Sequence, residues 1–449
     1  MAQRSILYSL GTKFLSHAMI LIQGMLVARM LGPEGKGLQA KILVSYSFFV
    51  ILFDLGLSNS LNYFFGNHTL SLRNLRKVIL FILSGQFLLA LFILVILQFD
   101  IIGYFFVPVQ DKVYFYYIYI GSLIFFENMF LVLYSYLSAH LNFKMINYID
   151  LLSAFFKMCG IISLYFVFEK QAPLKFILAS DFSVNILCLI ILSLFCFSKM
   201  AKDLGHLNAG VPTTEDVNFN FKNFRTQLFS YAFPLLVSNI IFYLNSKLDY
   251  WVIQKHLGFE SLGYYSVANS GAQLMTIVPI TIGAIVLSYL NRLPQNEKIR
   301  FFSYYSKLNF TGLLCLSICG LFLARLFINL MFGSRFDESI ILFQMFLFVC
   351  LFSSHKYMLG IFLQSMGEIK LKLKADFISL IVNVTGLIFI IKQFGMYGAV
   401  LFQLFLQIVS VSLIHFFLSR KSIQLKNIYV LDTFKAPLGS STIAQILPK

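Results

Sequence analysis

The sequence ARMLGPEGKG, residues 28–37, closes an apolar run that begins near Ser5. Some 25 residues, mostly Ile, Leu, Met, Val and Phe, make a helix of roughly 35 to 40 Å, which is long enough to cross a bilayer. The Gly and Pro cluster then ends the helix and predicts a turn of the chain. Because the run is too long for a secretory signal peptide and lacks a small-residue cleavage site, we interpret it as the first spanning helix.

A similar pattern of glycine and charged residues occurs again in the sequence KHLGFESLG, residues 255–263. Alignment of Gly32 with Gly258 sets an offset of 226 residues (258 − 32 = 226). At this offset, identical or like-charged residues meet in two separate segments. The pairs are Arg29 with Lys255, Leu31 with Leu257, Glu34 with Glu260, Gly37 with Gly263, Leu137 with Leu363, Lys144 with Lys370, Asp150 with Asp376 and Ser153 with Ser379. Two segments that agree at one shift, close to half the chain length, predict an internal duplication.

The composition is that of a membrane protein. Hydrophobic residues make up 59% and charged residues 12% of the chain, and the mean hydropathy is +0.81. A soluble chain has about 25% charged residues. The net charge of +16 would suggest a nucleic-acid partner in a soluble protein, but here the positive-inside rule explains most of it, and we expect no nucleic acid. The six cysteines lie in apolar runs without metal-ligand spacing, so we expect no disulfide, metal or cofactor.

Twelve apolar segments can be separated at loops that carry charge, Gly or Pro. They are 5–30, 38–66, 76–98, 113–138, 146–168, 174–198, 227–254, 262–290, 301–324, 337–365, 373–393 and 397–419. The longest hydrophilic stretch separates six segments from six. We therefore predict four parts: an N-terminal six-helix bundle at 1–198, a cytoplasmic linker at 199–226, a C-terminal six-helix bundle at 227–420, and a cytoplasmic tail at 421–449.

Basic residues are unevenly distributed between the two sides of the predicted spans. Loops on the side of the N-terminus are rich in Lys and Arg, for example Arg76, Lys144, Arg292 and Lys370, and the opposite loops hold far fewer. This asymmetry predicts that both termini are cytoplasmic. An even number of spans in each half then makes the two repeats parallel, related by an axis along the membrane normal. The predicted fold class is an all-α integral membrane protein with twelve transmembrane helices in two parallel six-helix repeats.

Polar residues within the spans are the functional candidates, because an ionisable group at membrane depth costs about 2.5 kcal/mol or more. At the repeat offset, several polar positions recur although the residue type changes. Lys13 falls on Asn239, Gln23 on Asp249, Lys157 on Asn383, and Asp181 on Gln407. We interpret such positions as facing the interior of a bundle, where water or a polar ligand solvates them.

Two groups of candidates follow from the recurrence and from polar stripes on single helices. The substrate-binding candidates are Lys13, His17, Arg29, Lys157, Asn239, Lys247, Asn269 and Gln273. The candidates for ion coupling are Asp54, Glu127, Asp181 and Asp249. Plainer interpretations remain open: headgroup-level positions for Lys247 and Asp249, snorkelling for Arg29, and pairing with a lysine for the other three carboxylates. Asp150 and Asp376 follow basic loops and are expected to be helix-start groups.

The sequence shows no catalytic constellation. It has no Walker-A motif, no His/Glu metal motif and no nucleophile elbow, so we expect a membrane transporter rather than an enzyme. A membrane-embedded glycosyltransferase or polymerase would need a large loop with clustered charges, and no such loop is found.

The motifs that close the first and seventh spans resemble those of the polysaccharide and O-antigen flippases of the multidrug/oligosaccharidyl-lipid/polysaccharide exporter superfamily. They are ARMLGPEGKG at 28–37 and DYWVIQKHLGFESLGYYSVA at 249–268, with MFGSRF at 331–336 as a weaker likeness. The resemblance covers about residues 5 to 420. It implies a MATE-like, V-shaped fold in which two six-helix bundles enclose a cavity.

The resemblance also implies a function. Such proteins move undecaprenyl-diphosphate-linked oligosaccharides, the precursors of O-antigen or capsule, from the inner to the outer leaflet of the bacterial cytoplasmic (inner) membrane. The implied partners are the lipid-linked oligosaccharide and membrane lipid, with H⁺ or Na⁺ as candidate coupling ions. Whether a polysaccharide polymerase and a chain-length regulator also take part stays open. The alternatives are a cation-coupled multidrug exporter and a lipid II flippase of the same superfamily.

Overall fold

The computed structural model describes residues 2–66, 72–96, 99, 106, 114–139, 142–169, 171–207, 221–290 and 293–421. Within these ranges the secondary structure is helical and contains no strand. The helices are α1 (Ala2–Asp54), α2 (Leu57–Gly66), α3 (Leu72–Ile96), α4 (Tyr114–Ala139), α5 (Phe143–Val167), α6 (Leu174–Leu207), α7 (Phe221–Gln273), α8 (Ile277–Leu290), α9 (Gln295–Met331), α10 (Ser339–Ser365) and α11 (Ile369–Arg420). Residues 208–220 of the predicted linker and residues 422–449 of the predicted tail lie outside the described residues.

The described helices have the length and the surface of membrane spans. Nine helical runs among them are long and apolar enough to cross a bilayer. Their outer surfaces carry large apolar side chains, of which Phe322 is 83% and Phe166 75% exposed. Acyl chains solvate such a surface, whereas in water it would drive aggregation. The chain is therefore a multi-pass membrane protein, as its composition predicts.

Three of these runs, of 44, 57 and 52 residues, are long enough for two crossings each. Each is interrupted at one glycine with non-helical backbone angles: Gly32 (φ 67°, ψ −177°), Gly258 (φ 86°, ψ −178°) and Gly395 (φ 61°, ψ −150°). Glycine adopts these angles without a steric cost because it has no Cβ atom. The predicted interruption after the first span is thus confirmed, and Pro33 follows it, where a missing backbone N–H is tolerated. The total of twelve spans stays a prediction.

Two of the predicted spans are not continuous, and the prediction was wrong at these points. The second is broken between α1 and α2, where Leu55 and Gly56 both have positive φ angles. The eighth contains a 3₁₀ turn, Leu274–Thr276, before α8 begins. Pro279 has no N–H to donate to the preceding turn, which favours a break there.

Two helix boundaries repeat at the offset that the sequence defines. Helix α5 begins at Phe143 and α11 begins at Ile369, which are 226 residues apart (369 − 143 = 226). Helix α4 ends at Ala139 and α10 ends at Ser365, again 226 residues apart (365 − 139 = 226). One start and one end of equivalent helices therefore fall at equivalent positions, which supports the internal duplication.

The backbone breaks repeat as well. Gly32 and Gly258, aligned by sequence, have nearly the same φ and ψ angles. Gly395 aligns with Glu169 (395 − 169 = 226), and Glu169 has a φ of 46° although it is not a glycine. A positive φ is uncommon for a residue with a side chain. The shared backbone geometry has thus been kept where the side chains differ.

The chain forms two compact units, Met1–Tyr243 and Leu244–Lys449, which we call the N-unit and the C-unit. The boundary between them falls inside α7. The first part of α7 belongs to the N-unit because Phe224, Leu228 and Ala232 pack in the same apolar cluster as residues of α2 to α6. The sequence-based domain boundaries remain a prediction.

The most buried helices of the two units, α4 and α10, are equivalent in the repeat. Half of the residues in the most apolar window of α4 are buried, and 72% of those in α10, more than in any other candidate span of the described chain. A charged side chain on such a helix is removed from lipid. Glu127 lies on α4 and Lys356 lies on α10, so both charges are positioned inside their units.

Candidate functional site

The N-unit contains a polar pair that joins its first helix to its last complete one. The Gln23 side chain on α1 donates a hydrogen bond from Nε2 to Oδ1 of Asp181 on α6, at 2.9 Å. The two residues are 158 positions apart in the chain. A hydrogen bond to a charged acceptor in an apolar environment is strong, because little water competes for the partners. This pair therefore anchors a polar cluster between apolar helices.

Charged residues from three further helical segments complete this N-unit cluster. The ammonium of Lys157 on α5 acts electrostatically on the carboxylates of both Glu127 and Asp181. Tyr46 hydrogen-bonds Glu127, and Lys36 adds a second positive charge that acts on Asp181. The cluster thus contains two carboxylates and two ammonium groups. Lys157, Glu127 and Asp181 were named from the sequence, whereas Tyr46 and Lys36 were not.

Two candidates on the first helix, Lys13 and His17, act on a carboxylate outside that cluster. Lys13 and His17 are exposed, and His17 Nδ1 lies 2.7 Å from the backbone oxygen of Lys13. Both side chains act electrostatically on Asp150 of α5. The expectation that Asp150 is a helix-start group was wrong, since it is the eighth residue of α5 and the first turn of that helix has no acidic residue. It lies within electrostatic range of Lys13 on α1 instead.

The other N-unit candidates have separate surroundings. Arg29 is exposed beside the Gly32 break, and Asn239 is half-buried in the first part of α7. Asp54 is buried, and its two carboxylate oxygens accept hydrogen bonds from the backbone N–H and the hydroxyl of Ser58, at 3.1 and 2.9 Å. Asp54 therefore caps the start of α2, where helical N–H groups lack partners.

The C-unit contains a denser polar cluster, centred on Asp249. This residue is 1% exposed. Its Oδ2 accepts a hydrogen bond from the Tyr265 hydroxyl and a second one, at 3.3 Å, from Nε2 of Gln403 on α11. Its Oδ1 accepts from the backbone N–H of Tyr250, at 3.0 Å. Three donors from two helices thus hold one buried carboxylate.

Amide side chains extend this cluster along α7. The backbone oxygen of Asn245 accepts from Asn383 at 3.3 Å and from Gln403 at 3.2 Å. The Asn245 amide itself donates to the backbone oxygen of Asp376, at 2.8 Å. Among the described atoms, Oδ1 of Asn245 and Oδ1 of Asn383 are buried without a hydrogen-bond donor. Such buried acceptors are costly unless a ligand, ion or water satisfies them.

The polar stripe predicted after the Gly258 break also joins the C-unit cluster. Asn269 donates to the Tyr250 hydroxyl at 2.9 Å, and Gln273 donates to Asn269 Oδ1 at 3.1 Å. The Lys247 ammonium lies 4.7 Å from the centre of the Tyr250 ring, in cation–π geometry. Asn269 is buried and Gln273 is exposed, so the stripe leads from the cluster to the surface of the unit. Its role in substrate binding stays a prediction.

The two clusters are related by the repeat. The N-unit pairs a carboxamide on α1 with a carboxylate on α6, Gln23 with Asp181. The C-unit pairs a carboxylate on α7 with a carboxamide on α11, Asp249 with Gln403. The sequence offset aligns Asp181 with Gln407, one helical turn beyond the residue that makes the contact. The acid and the amide have therefore exchanged places between the two units.

A second charged cluster in the C-unit was missed by the sequence analysis. Asp376 on α11 pairs with Lys356 of α10 at 2.6 Å and with Lys372 at 3.2 Å. The expectation that Asp376 is a helix-start group was wrong, because it lies in the second turn of α11 and is buried. The spacing of Lys372 and Asp376, four residues on one helix, was a signal that could have indicated part of it.

Comparison with known proteins is consistent with this architecture. The profile of the family described as "Polysaccharide biosynthesis protein" matches residues 2–289. The capsular polysaccharide biosynthesis protein CapF of Staphylococcus aureus is 24% identical over 260 residues, which cover 57% of this chain and 65% of CapF.

Solved transporter structures share the fold. The lipid II flippase MurJ in an inward closed conformation superposes with a TM-score of 0.73 at 14% identity, over 94% of this chain and 89% of MurJ. An inward-facing multidrug resistance MATE family transporter of the MOP superfamily gives a TM-score of 0.67 at 13% identity, over 92% of this chain and 95% of its own. At these identities the likeness establishes the fold alone.

Proposed function

The chain belongs to the polysaccharide biosynthesis protein family, and from this premise we propose that it is a flippase for lipid-linked oligosaccharides. Its cargo is an undecaprenyl-diphosphate-linked repeat unit, the precursor of O-antigen or capsular polysaccharide. The protein moves this cargo from the inner to the outer leaflet of the bacterial cytoplasmic membrane by alternating access, with both of its own termini in the cytoplasm. The observation that carries the proposal is the family match over residues 2–289 in a chain with the MOP transporter fold.

The chemistry of the N-unit cluster supports an anionic cargo. A diphosphate is costly to move through a low-dielectric environment unless positive charge accompanies it. Lys157 is half-buried and Lys36 lies close to the same carboxylate, Asp181. When a cargo phosphate approaches these ammonium groups, it replaces a carboxylate as their partner and does not replace bulk water. The lysines can therefore offset the charge of the phosphate when they give up a carboxylate partner.

The C-unit cluster supplies hydrogen-bonding groups of the kind that sugars require. Sugar hydroxyls both donate and accept, as do the amides of Asn269 and Gln273 and the hydroxyl of Tyr250. These three groups already form a chain of hydrogen bonds that reaches an exposed position at Gln273. We propose that this chain opens toward sugar hydroxyls when the cargo is bound.

Coupling to H⁺ or Na⁺ is assigned to Asp249 within this proposal. Asp54 serves as a helix cap, and Glu127 and Asp181 have Lys157 beside them. Asp249 also has a lysine, Lys247, acting on it, but Gln403 connects it to Asn245, whose side-chain oxygen is buried without a donor among the described atoms. A carboxylate can hold a proton, and hard cations take carboxylate and carbonyl oxygens as ligands. Asp249→Asn should remove the gradient dependence of flipping in vesicles, and Asp181→Asn should keep it.

The experiment that tests the proposed function uses a strain deleted for this gene that retains its glycan-assembly enzymes. Polyprenyl-diphosphate-linked oligosaccharides are extracted, and the fraction accessible to a membrane-impermeant reagent on the outer face is quantified. We expect complete repeat units confined to the inner leaflet, restored to the outer face by the wild-type gene. Lys157→Met should restore much less, and Lys175→Met, which changes an exposed lysine at the start of α6, should restore fully.

The same strain separates the alternatives. A cation-coupled multidrug exporter is favoured by the carboxylates Glu127 and Asp181, because acidic groups attract cationic drugs. Normal outward exposure of the oligosaccharide, in a strain without a second flippase, together with increased drug susceptibility, would replace the flippase proposal with that function. A lipid II flippase predicts lysis and accumulation of lipid II on depletion, which the lipid extracts report directly.

A further inference from the structure

The C-unit has a concentration of positive charge where α10 ends and α11 begins. Six lysines and two carboxylates belong to this region: Lys298, Lys356, Lys370, Lys372, Lys374 and Lys421, with Glu368 and Asp376. Lys298 reaches the region by donating to the backbone oxygen of Ser365 at 2.8 Å, and Lys421 by pairing with Glu368. Positive charge therefore exceeds negative charge at this end of the C-unit.

Lys356 lies deeper than a residue that snorkels to headgroups. It is nine residues before the end of α10, and Asp376 is seven residues after the start of α11, which is about 10–14 Å inside either helix. The side chain of Lys356 is 11% exposed and that of Asp376 is 5% exposed. Buried ion pairs contribute little net stability, so stability does not account for charges at this depth.

The neighbouring helices hold the carboxylate of Asp376 in one orientation. Its Oδ1 contacts Lys356 at 2.6 Å and Ser410 Oγ at 3.4 Å, and its Oδ2 contacts Lys372 at 3.2 Å. The backbone oxygen of the same residue accepts from Asn245. The carboxylate thus holds two ammonium groups at neighbouring positions, the separation at which one phosphate or diphosphate group could accept from both.

Lys372 provides access from the surface of the unit. Its side chain is 26% exposed, more than that of Lys356. The stem of Lys372 passes over Gly360 of α10, where a Cβ atom would lie 3.1 Å from its Cδ and Cε atoms. The absence of a side chain at Gly360 therefore leaves room for this stem beside α10.

From these observations we infer that Lys356 and Lys372 form a binding site for the phosphoanion of a membrane-borne lipid, with Asp376 as the internal carboxylate that an incoming phosphate displaces. Both lysines donate to the phosphate when it is bound, and Asp376 reclaims them when it leaves. The identification of the phosphate with that of the cargo rests on the proposed function, whereas the site itself requires only a lipid phosphate.

The sign of the mutational effects distinguishes this site from a structural ion pair. Removal of the lysines removes the donors, so Lys356→Met and Lys372→Met should weaken phosphoanion binding. Asp376→Asn removes the competitor and keeps the side-chain shape, so it should strengthen binding. If the cluster served only to hold α10 against α11, all three substitutions would leave binding unchanged or shift it in one direction.

The test uses the full chain, purified and reconstituted in nanodiscs of neutral phosphatidylcholine, with farnesyl diphosphate as the probe. Binding is measured by the change in melting temperature and by isothermal titration. We expect at least a tenfold loss of affinity in the Lys356→Met/Lys372→Met double variant and a severalfold gain in Asp376→Asn. Lys392→Met, an exposed lysine farther along α11, is the matched control and should stay within twofold of wild type.

A double variant within twofold of wild type, or a loss of affinity in Asp376→Asn, would overturn the inference. If Asp376→Asn does not fold, Lys356→Met and Lys372→Met are measured singly, and each should weaken binding while Lys392→Met does not. Competition with phosphatidylglycerol nanodiscs then identifies the source, because displacement assigns the site to bulk anionic lipid and resistance assigns it to a prenyl diphosphate. This test measures binding and not flipping. Unchanged binding in the double variant therefore overturns the site and leaves the proposed function standing. A failed flipping assay overturns the proposed function and leaves the site standing.

Discussion

Three glycine-to-alanine substitutions provide a graded test of the fold. Gly56 has a φ of +72°, and a Cβ atom there would lie 2.3 Å from the backbone oxygen of Ala232 and 3.0 Å from the backbone nitrogen of Leu236. The left-handed conformation costs alanine about 1–2 kcal/mol. Overpacking against atoms that cannot rotate away adds about 1–3 kcal/mol. Gly56→Ala should therefore destabilise the protein by about 2–5 kcal/mol in all.

Two other glycines separate these contributions. Gly258 has a φ of +86° but no atom within 4 Å of the Cβ position, so Gly258→Ala should cost only the backbone penalty of about 1–2 kcal/mol. Gly24 lies within α1, also in open space, so Gly24→Ala should gain about 1 kcal/mol from helix propensity.

The assay is thermal unfolding of the detergent-purified full chain, followed by near-ultraviolet circular dichroism. The expected order of melting temperatures is Gly24→Ala, wild type, Gly258→Ala and then Gly56→Ala, from highest to lowest. A Gly56→Ala variant that melts at or above Gly258→Ala would refute the close approach of α7 to the break between α1 and α2. Gly24→Ala serves as the control for the substitution itself.

Three further outcomes are expected. Tyr265→Phe removes the hydroxyl that donates to Asp249 and keeps the ring, so it should cost about 1.5–3 kcal/mol in the same melt, and an unchanged melt would contradict that hydrogen bond. Glu169→Gly replaces a residue that has a left-handed backbone conformation, so it should stabilise the chain by up to about 1 kcal/mol. The gain is limited because glycine has the greater conformational entropy in the unfolded state. A lower melting temperature would argue against the positive φ. Because Asp54 acts as a helix cap, Asp54→Asn, which keeps an acceptor for Ser58, should leave the gradient dependence of flipping unchanged. Asp54→Ala removes the acceptor and should destabilise the protein by about 1 kcal/mol. Loss of gradient dependence in Asp54→Asn would instead assign ion coupling to Asp54.

Much of the candidate site lay beyond sequence reasoning because its contacts join distant positions. Asp249 and Gln403 are 154 residues apart, and Gln23 and Asp181 are 158 apart. The repeat offset identified three of these four positions and missed the fourth by one helical turn, because a helix can rotate or slide by a turn without losing its apolar face. Tyr265 gave no signal in the sequence, since a tyrosine in an apolar helix is indistinguishable from a packing residue until its hydroxyl has a partner.

The sequence by itself determined that this chain lies in a membrane, that its three longest helical runs are interrupted, and that its two halves are related. Apolar length, glycine punctuation and a constant offset are properties of the chain that need no knowledge of packing. Only the tertiary structure decided which polar groups meet. In it, Asp54 caps a helix, and Lys356 pairs with Asp376 of another helix. The physical reason is that a buried charge is stabilised by whichever partner the packing brings within a few ångströms, and packing depends on side chains from every helix of the unit at once.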